Sequence, residues 1–324
     1  MEMRQTETSR DRLWTAVVAI GLGLGLASCG RSPQVDAEKP LLVASYSVLC
    51  DMAEQIAGDT VELDCLIAFD RDPHTYEGTP SDRQAIELAD AVLYAGLNFE
   101  PSVIRMVQAT HSPAPKVPVH ELAVQELIEV GIEGEEVPDP HIWHDVENGI
   151  RMVELLRDTS IELSPEHADL YRSRTDRLLQ ELEQLDEWIG EQIQTIPSDR
   201  RLLVTTHDAM GYYSRAYGLE VAGTLLGLSP EEEPTAARVR ELVQSIRSSG
   251  VPTVFAELTT NDRVLRVVAS EAGVEISDRV LIADGIGRRG SPEGSYQGML
   301  EYNTCAIVDG LGGTCSPFVS SVVD

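Results

Sequence analysis

The stretch from Ser164 to Ile196, SPEHADLYRSRTDRLLQELEQLDEWIGEQIQTI, is the longest uninterrupted helical pattern in the chain. Ser164 suits an N-cap, Pro165 suits the first helical position, and Glu166 brings negative charge to the end where the helix dipole favours it. Apolar residues then recur, mostly three or four apart, at Leu170, Tyr171, Leu178, Leu182, Leu185, Ile189 and Ile193, while Arg, Asp, Glu and Gln fill the other face. That spacing buries one stripe of a helix. Pro197 ends the run, and about 30 residues at 1.5 Å each make a rod of roughly 45 Å. A single rod between two globular stretches joins them; a coiled-coil arm is the other reading. The expected organisation is an N-terminal lobe at residues 41–160, a linking helix at 161–197 and a C-terminal lobe at 198–324.

A chain of 324 residues can bury two cores of ordinary size. Lys and Arg number 25 against 54 Asp and Glu, a net charge of −29. Such an excess repels the phosphates of nucleic acid and of anionic membrane surfaces, and it suits a cation. A general acidic bias, as in salt-adapted organisms, explains the same composition. Arg4, Arg10 and Arg12 precede an apolar run from Leu13 to Leu26 that is too short to span a membrane comfortably, which reads as an export signal over residues 1–29. The run ends in Leu26-Ala27-Ser28-Cys29, which resembles the lipobox of bacterial lipoproteins and implies lipidation of Cys29; an ordinary signal peptide is the alternative. Residues 30–40 are then a polar tether.

Cys50, Cys65, Cys305 and Cys315 remain, an even number in a compartment that permits disulfides. Proximity along the chain favours Cys50 with Cys65 and Cys305 with Cys315, with free buried thiols as the alternative.

Short apolar runs at 41–44, 61–68 and 91–94 read as buried parallel strands, with helices at 47–56 and 81–88 between them and an edge piece at 117–119. Residues 126–138 form an acidic stretch whose later part is expected to be loop, and Asp139 opens a helix running to about Leu156. The same alternation returns after the long helix, with strands at 202–206, 254–257 and 275–283 and a closing helix at 296–311. The fold class is therefore α/β: two lobes, each a mainly parallel sheet flanked by helices.

Ligands of open α/β sheets gather at the carboxyl ends of the strands, and His74, His141, His207 and Asp284 all fall at or near such ends. They come from both sides of the long helix, so a shared site must lie in the cleft between lobes. Three imidazoles and one carboxylate make a closed, tetrahedral-type set for a divalent metal. Glu257 is a candidate to orient a ligand imidazole. His144, three residues after His141, could reach the same face, although a solvent-facing or hydrogen-bonded role suits it better. His111, His120 and His167 have no partners in their sequence context.

The segments Asp72-Pro73-His74-Thr75-Tyr76-Glu77, Asp139-Pro140-His141-Ile142-Trp143, Thr206-His207-Asp208 before Gly211-Tyr212-Tyr213, and Asp284-Gly285-Ile286-Gly287 with Gly294-Ser295-Tyr296 resemble the zinc- and manganese-uptake solute-binding proteins of bacterial ABC transporters. Glu233-Pro234-Thr235 and Phe255-Ala256-Glu257 fall in similar places, and the long helix corresponds to that family's inter-lobe helix. The resemblance implies a metal held by His74, His141, His207 and Asp284 and delivered to a membrane permease. An apolar residue usually follows the Trp in that family, so His144 is a departure. Another is the acidic Glu133, Glu135 and Glu136 where zinc members often carry a His-rich loop.

Three nitrogens favour zinc over manganese, with iron behind both. The expected protein is an exported monomer, periplasmic or on the cell surface, anchored through Cys29. A zinc hydrolase is the competing class, but its metal keeps a position open for water and here the fourth ligand is protein. A surface adhesin is the third. The imidazole ligands imply that affinity falls with pH through the range where histidine gains a proton.

Overall fold

The computed structural model describes residues 39–132, 134–230 and 234–322; the export signal, Cys29, most of the tether, Glu133 and Glu233 lie outside the described residues. In the first half, β1 (Leu41–Ala44), α1 (Ser47–Ala57), β2 (Glu62–Cys65), α2 (Pro80–Leu88), β3 (Ala91–Tyr94), α3 (Pro101–Ala109), β4 (Lys116–Pro118) and α4 (Val119–Ala123) follow in order. The four strands form one parallel sheet in the order β2-β1-β3-β4. Leu42, Val43, Ala44, Val92 and Leu93 are wholly buried, as strands covered on both faces require.

The acidic stretch is more ordered than its composition suggests. β5 (Glu129–Ile132) and β6 (Glu135–Pro138) pair antiparallel, and Gly134 turns between them at φ +92°. Only glycine takes that conformation without steric cost. The next helix, α5 (Val146–Leu163), starts on an Asp145 cap and runs well past Leu156. Ser164 therefore closes α5 rather than capping the long helix, and its side chain makes no cap bond. Pro165 keeps α5 from continuing, residues Pro165–His167 form a 3₁₀ turn, and the long helix α6 spans Ala168–Gln194.

At 27 residues, α6 is about 40 Å long. Its buried stripe includes Tyr171, Leu178, Leu182, Leu185, Ile189 and Ile193, whereas Leu170 is exposed. Both ends are tied. Near its start, Arg174 donates to the carbonyls of Ile56 (3.1 Å) and Ala57 (3.0 Å) at the end of α1, where the helix dipole favours a cation. Near its end, Trp188 Nε1 donates to the Ser316 carbonyl (3.1 Å), and the Ser316 N–H donates to Gln192 (2.9 Å).

The second half contains β7 (Leu202–Thr205), α7 (Gly211–Tyr217), β8 (Glu220–Thr224), α8 (Ala236–Ser249), β9 (Thr253–Val254), α9 (Arg263–Ala272), β10 (Glu275–Ile276) and α10 (Tyr296–Gly310). Parallel pairs β7/β8 and β9/β10 are joined where Thr205 bridges Phe255. The resulting order, β8-β7-β9-β10, repeats that of the first half. The strand expected over 275–283 is broken by a bend at Asp278 and Arg279, where the Ser277 hydroxyl accepts the Arg279 N–H, and pairing resumes at Leu281 opposite Glu257. Cys50 is bonded to Cys65 and Cys305 to Cys315. The buried apolar side chains of both halves run together into one core that includes the stripe of α6.

One charged group in that core carries a pH signature. Glu100 is 1 % exposed at the start of α3 and accepts the Ala95 N–H; burial pushes its carboxyl up to about 7. A raised folded-state pKa means that this stability is present below the ordinary value of 4.5 and is lost as pH rises through about 7. The loss should be about 3 kcal/mol. Glu100→Gln is expected to remove it, so denaturant melts from pH 4.5 to about 8 should show the variant gaining on the wild type as pH rises.

Candidate metal centre

Two of the four candidate ligands sit in turns of one design. His74 and His141 each follow Asp-Pro, and in both turns the Asp Oδ1 accepts the His backbone N–H, at 2.8 Å for Asp72 and 2.9 Å for Asp139. Aspartate makes such a turn because its short carboxylate reaches the backbone two residues on, and proline restricts the residue before it. Beyond His74, the loop is pinned to α2 by the Thr79–Asp82 capping box and by the Tyr76 hydroxyl, which donates to Asp82. Beyond His141, a 3₁₀ turn over Ile142–His144 leads into α5.

His207 comes two residues after the end of β7, which lies between β8 and β9. Strand order reverses there, and the diverging connections leave a crevice at the carboxyl ends. The His207 N–H donates to Glu257 Oε1 (3.1 Å), and its Nδ1 makes a very short contact with Glu257 Oε2. Asp284 lies in the segment after Leu281, and its backbone is held from both halves. Asn303 on α10 brackets Ile282 with two bonds, at 2.9 and 2.8 Å. From the first half, Ser47 accepts the Ile286 N–H (3.1 Å) and His144 Nε2 donates to the Ala283 carbonyl (2.8 Å).

These elements bring His74, His141, His207 and Asp284 together, with one ligating atom from each within 4.8 Å of the others and all four residues buried. His141 Nε2 lies 3.1 Å from His74 Nε2 and 3.4 Å from His207 Nε2. Asp284 Oδ1 lies 3.6, 3.5 and 3.2 Å from the Nε2 atoms of His74, His141 and His207. Among the described residues that oxygen has no hydrogen-bond partner, although it is fully buried. Such an orphan is costly unless a cation takes the place of the missing donor.

The outer partners fix the chemistry. Asp139 Oδ1 faces His141 Nδ1 at 2.8 Å, as Glu257 faces His207 Nδ1. A carboxylate at Nδ1 holds the proton there and leaves the Nε2 lone pair directed inward. Burial disfavours the charged form of His207, but the Glu257 and Asp284 carboxylates outweigh it and hold its pKa well above the usual imidazole value. His141 is raised for the same reason, burial being outweighed by Asp139 and Asp284, whereas burial lowers His74 to about 4. Burial alone would raise the Asp284 carboxyl; the surrounding imidazoles, His207 foremost, hold it well below its ordinary range.

His144 does not join the cluster. It is wholly buried and spends its Nε2 on Ala283, so it supports the Asp284 segment from behind. His120, which had no partner in sequence context, is buried with its Nε2 2.8 Å from the Tyr46 hydroxyl. Its ring packs on Phe99, which in turn packs edge-on against His74 with centroids 4.8 Å apart. Asp139 went unassigned in the sequence, yet the repeated Asp-Pro-His at 72–74 and 139–141 was its signal. A cavity of about 240 Å³ reaches His74 from outside between Leu97, Pro101, Ile132, Pro140 and Leu228.

Removing an orienting carboxylate without changing its shape should loosen the centre. Glu257→Gln is expected to weaken divalent-metal binding by roughly 10- to 100-fold, measured by calorimetric titration. An unchanged affinity would show that Glu257 does not orient His207.

Residues 42–310 match the family described as zinc-uptake complex component A, periplasmic (ZnuA). The chain is 33% identical over 296 residues to the manganese-binding lipoprotein MntA of Halalkalibacterium halodurans, covering 91% of this chain and 95% of that protein. It is 30% identical over 298 residues to the metal ABC transporter substrate-binding lipoprotein FimA of Streptococcus parasanguinis, covering 90% and 96%. The solved periplasmic zinc-binding protein TroA of Treponema pallidum superposes with a TM-score of 0.79 at 31% identity, over 84% of this chain and 99% of that one. The chain therefore belongs to the ZnuA family and is the metal-binding component of an ABC transporter of the zinc and manganese type, not an enzyme.

Proposed function

We propose that this protein captures zinc, ahead of manganese and iron, outside the cytoplasm through His74, His141, His207 and Asp284, while a lipid on Cys29 keeps it at the membrane beside its permease. The observation that carries the metal is the spacing of the four donor atoms. Bonds of about 2.0–2.1 Å in a tetrahedron put donors about 3.3 Å apart. Five of the six separations run from 3.1 to 3.6 Å, and all four atoms lie within 4.8 Å of one another. Three neutral nitrogens and one carboxylate oxygen are the donors of a zinc site, and manganese prefers more oxygen. The likeness to MntA favours manganese and the likeness to TroA favours zinc; the donor set weighs toward zinc.

Capture involves little movement between halves. The ties of α6 at both ends, and the clamping of Asp284 from both sides, favour local movement of the ligand loops over a wide hinge. Glu257 and Asp139 keep two imidazoles aimed inward before the ion arrives, so less ordering is needed on binding.

The test is elemental analysis of protein beginning after Cys29, stripped of metal and then offered equal zinc, manganese and iron. One zinc per chain is expected, and His207→Ala should retain none after gel filtration. Manganese retained in preference to zinc would overturn the metal assignment, and undiminished binding by the variant would overturn the site.

A further inference from the structure

The two oxygens of Asp284 have different surroundings. Oδ1 faces the three imidazoles and has no hydrogen-bond partner among the described residues, whereas Oδ2 accepts a hydrogen bond from the Thr259 hydroxyl at 3.0 Å. We propose that Thr259 sets the metal preference of this centre by holding Asp284 to a single ligating oxygen. The inference rests on the metal-site reading above and adds the residue that decides between metals.

Thr259 is well placed for such a role. It sits in the turn that follows Glu257, and that turn is fixed at both ends. The Leu258 N–H donates to the Leu281 carbonyl at 2.8 Å, on the segment leading into Asp284. Thr260 donates to the Glu257 carbonyl through its N–H (3.4 Å) and its hydroxyl (3.3 Å). One short turn therefore carries the partner of His207 and, two residues later, the partner of Asp284. A hydroxyl held this rigidly keeps the carboxylate from rotating both oxygens toward the ion.

The consequence is a matter of coordination number. Zinc is content with four donors, whereas manganese favours more oxygens and a larger shell. Three neighbouring carboxylates have other partners: Asp139 bonds His141, Glu257 bonds His207, and Asp72 Oδ1 bonds the His74 backbone. Asp284 Oδ2 shares its carboxyl carbon with Oδ1, so it can become a fifth donor by rotation of the carboxylate alone. While Thr259 engages it, the site stays four-coordinate; without that hydroxyl, the carboxylate can turn onto the ion with both oxygens.

The experiment compares wild type with Thr259→Val, which keeps the side-chain shape but not the donor, Thr259→Ala, which cannot overfill the turn, and Thr259→Ser, which keeps the hydroxyl. Zinc and manganese affinities are measured by competition on the mature protein. The ratio of manganese Kd to zinc Kd should fall about tenfold or more in the Val and Ala variants and stay near wild type in the Ser variant. Cobalt provides an independent readout, because a tetrahedral site absorbs far more strongly in the visible than a five- or six-coordinate one. The cobalt band should be intense in wild type and Ser, and weak in Val. An unchanged ratio and band in Val and Ala, or a Ser variant that shifts as far as Val, would overturn the role of the hydroxyl. A wild-type protein that binds none of these metals would overturn the metal-site reading and this inference with it.

Discussion

Three imidazoles and a carboxylate buried against one another are unfavourable in a protein interior unless each has an assigned partner. That constraint explains much of the fold around them. Each inward-facing nitrogen of His141 and His207 is set by a carboxylate at the other side of the ring, and Asp284 has one oxygen satisfied by Thr259 and one left for a cation. The charges are arranged as a sink for positive charge. Carboxylates raise the pKa of His141 and His207 above what burial would give, and the imidazoles keep Asp284 ionised.

The sink is useful only if its parts stay in register, and they come from two sheets far apart in the chain. Both sheets have the same strand order, with the first strand lying between the second and third, so each presents a crevice at its carboxyl end. His207 occupies that place in the second half. The halves are then held together in three ways: by a shared apolar core, by the ties of α6 to α1 and to the C-terminal tail, and by contacts at the Asp284 segment itself. His144 belongs to the last group. Its bond to the Ala283 carbonyl crosses from one half to the other immediately beside a ligand.

Much of this was legible in the residues. Strong hydrophobic periodicity revealed the long helix and the strands of the first half, and metal-competent side chains at strand ends pointed to the four residues that converge. Boundaries were less legible where local signals competed. Ser164 has the chemistry of an N-cap, but α5 runs up to it and claims it as an end. Residues 129–138 look like acidic loop because glutamates dominate, yet Val130, Ile132 and Val137 alternate well enough for a hairpin once Gly134 makes the turn. Helices α8 and α9 carry clear local signals at their ends, a Thr235 cap and Gly250 and Gly273 in the left-handed conformation.

By itself, the sequence determined the kinds of chemistry present and their order along the chain: the α/β alternation, the rod in the middle, three histidines and an aspartate after strands, and the Asp-Pro-His turns that present two of them. Those are local properties, set by backbone preferences and side-chain spacing within a few residues. Only the tertiary structure decided which oxygen of Asp284 faces the cluster, that Thr259 takes the other, that His144 supports a backbone segment 139 residues away, and how closely the four donors approach. Those are distances between segments with no shared local signal. They are set when two sheets and one long helix pack around a common core, since a shift of even one side chain there would move a donor by more than a metal bond tolerates.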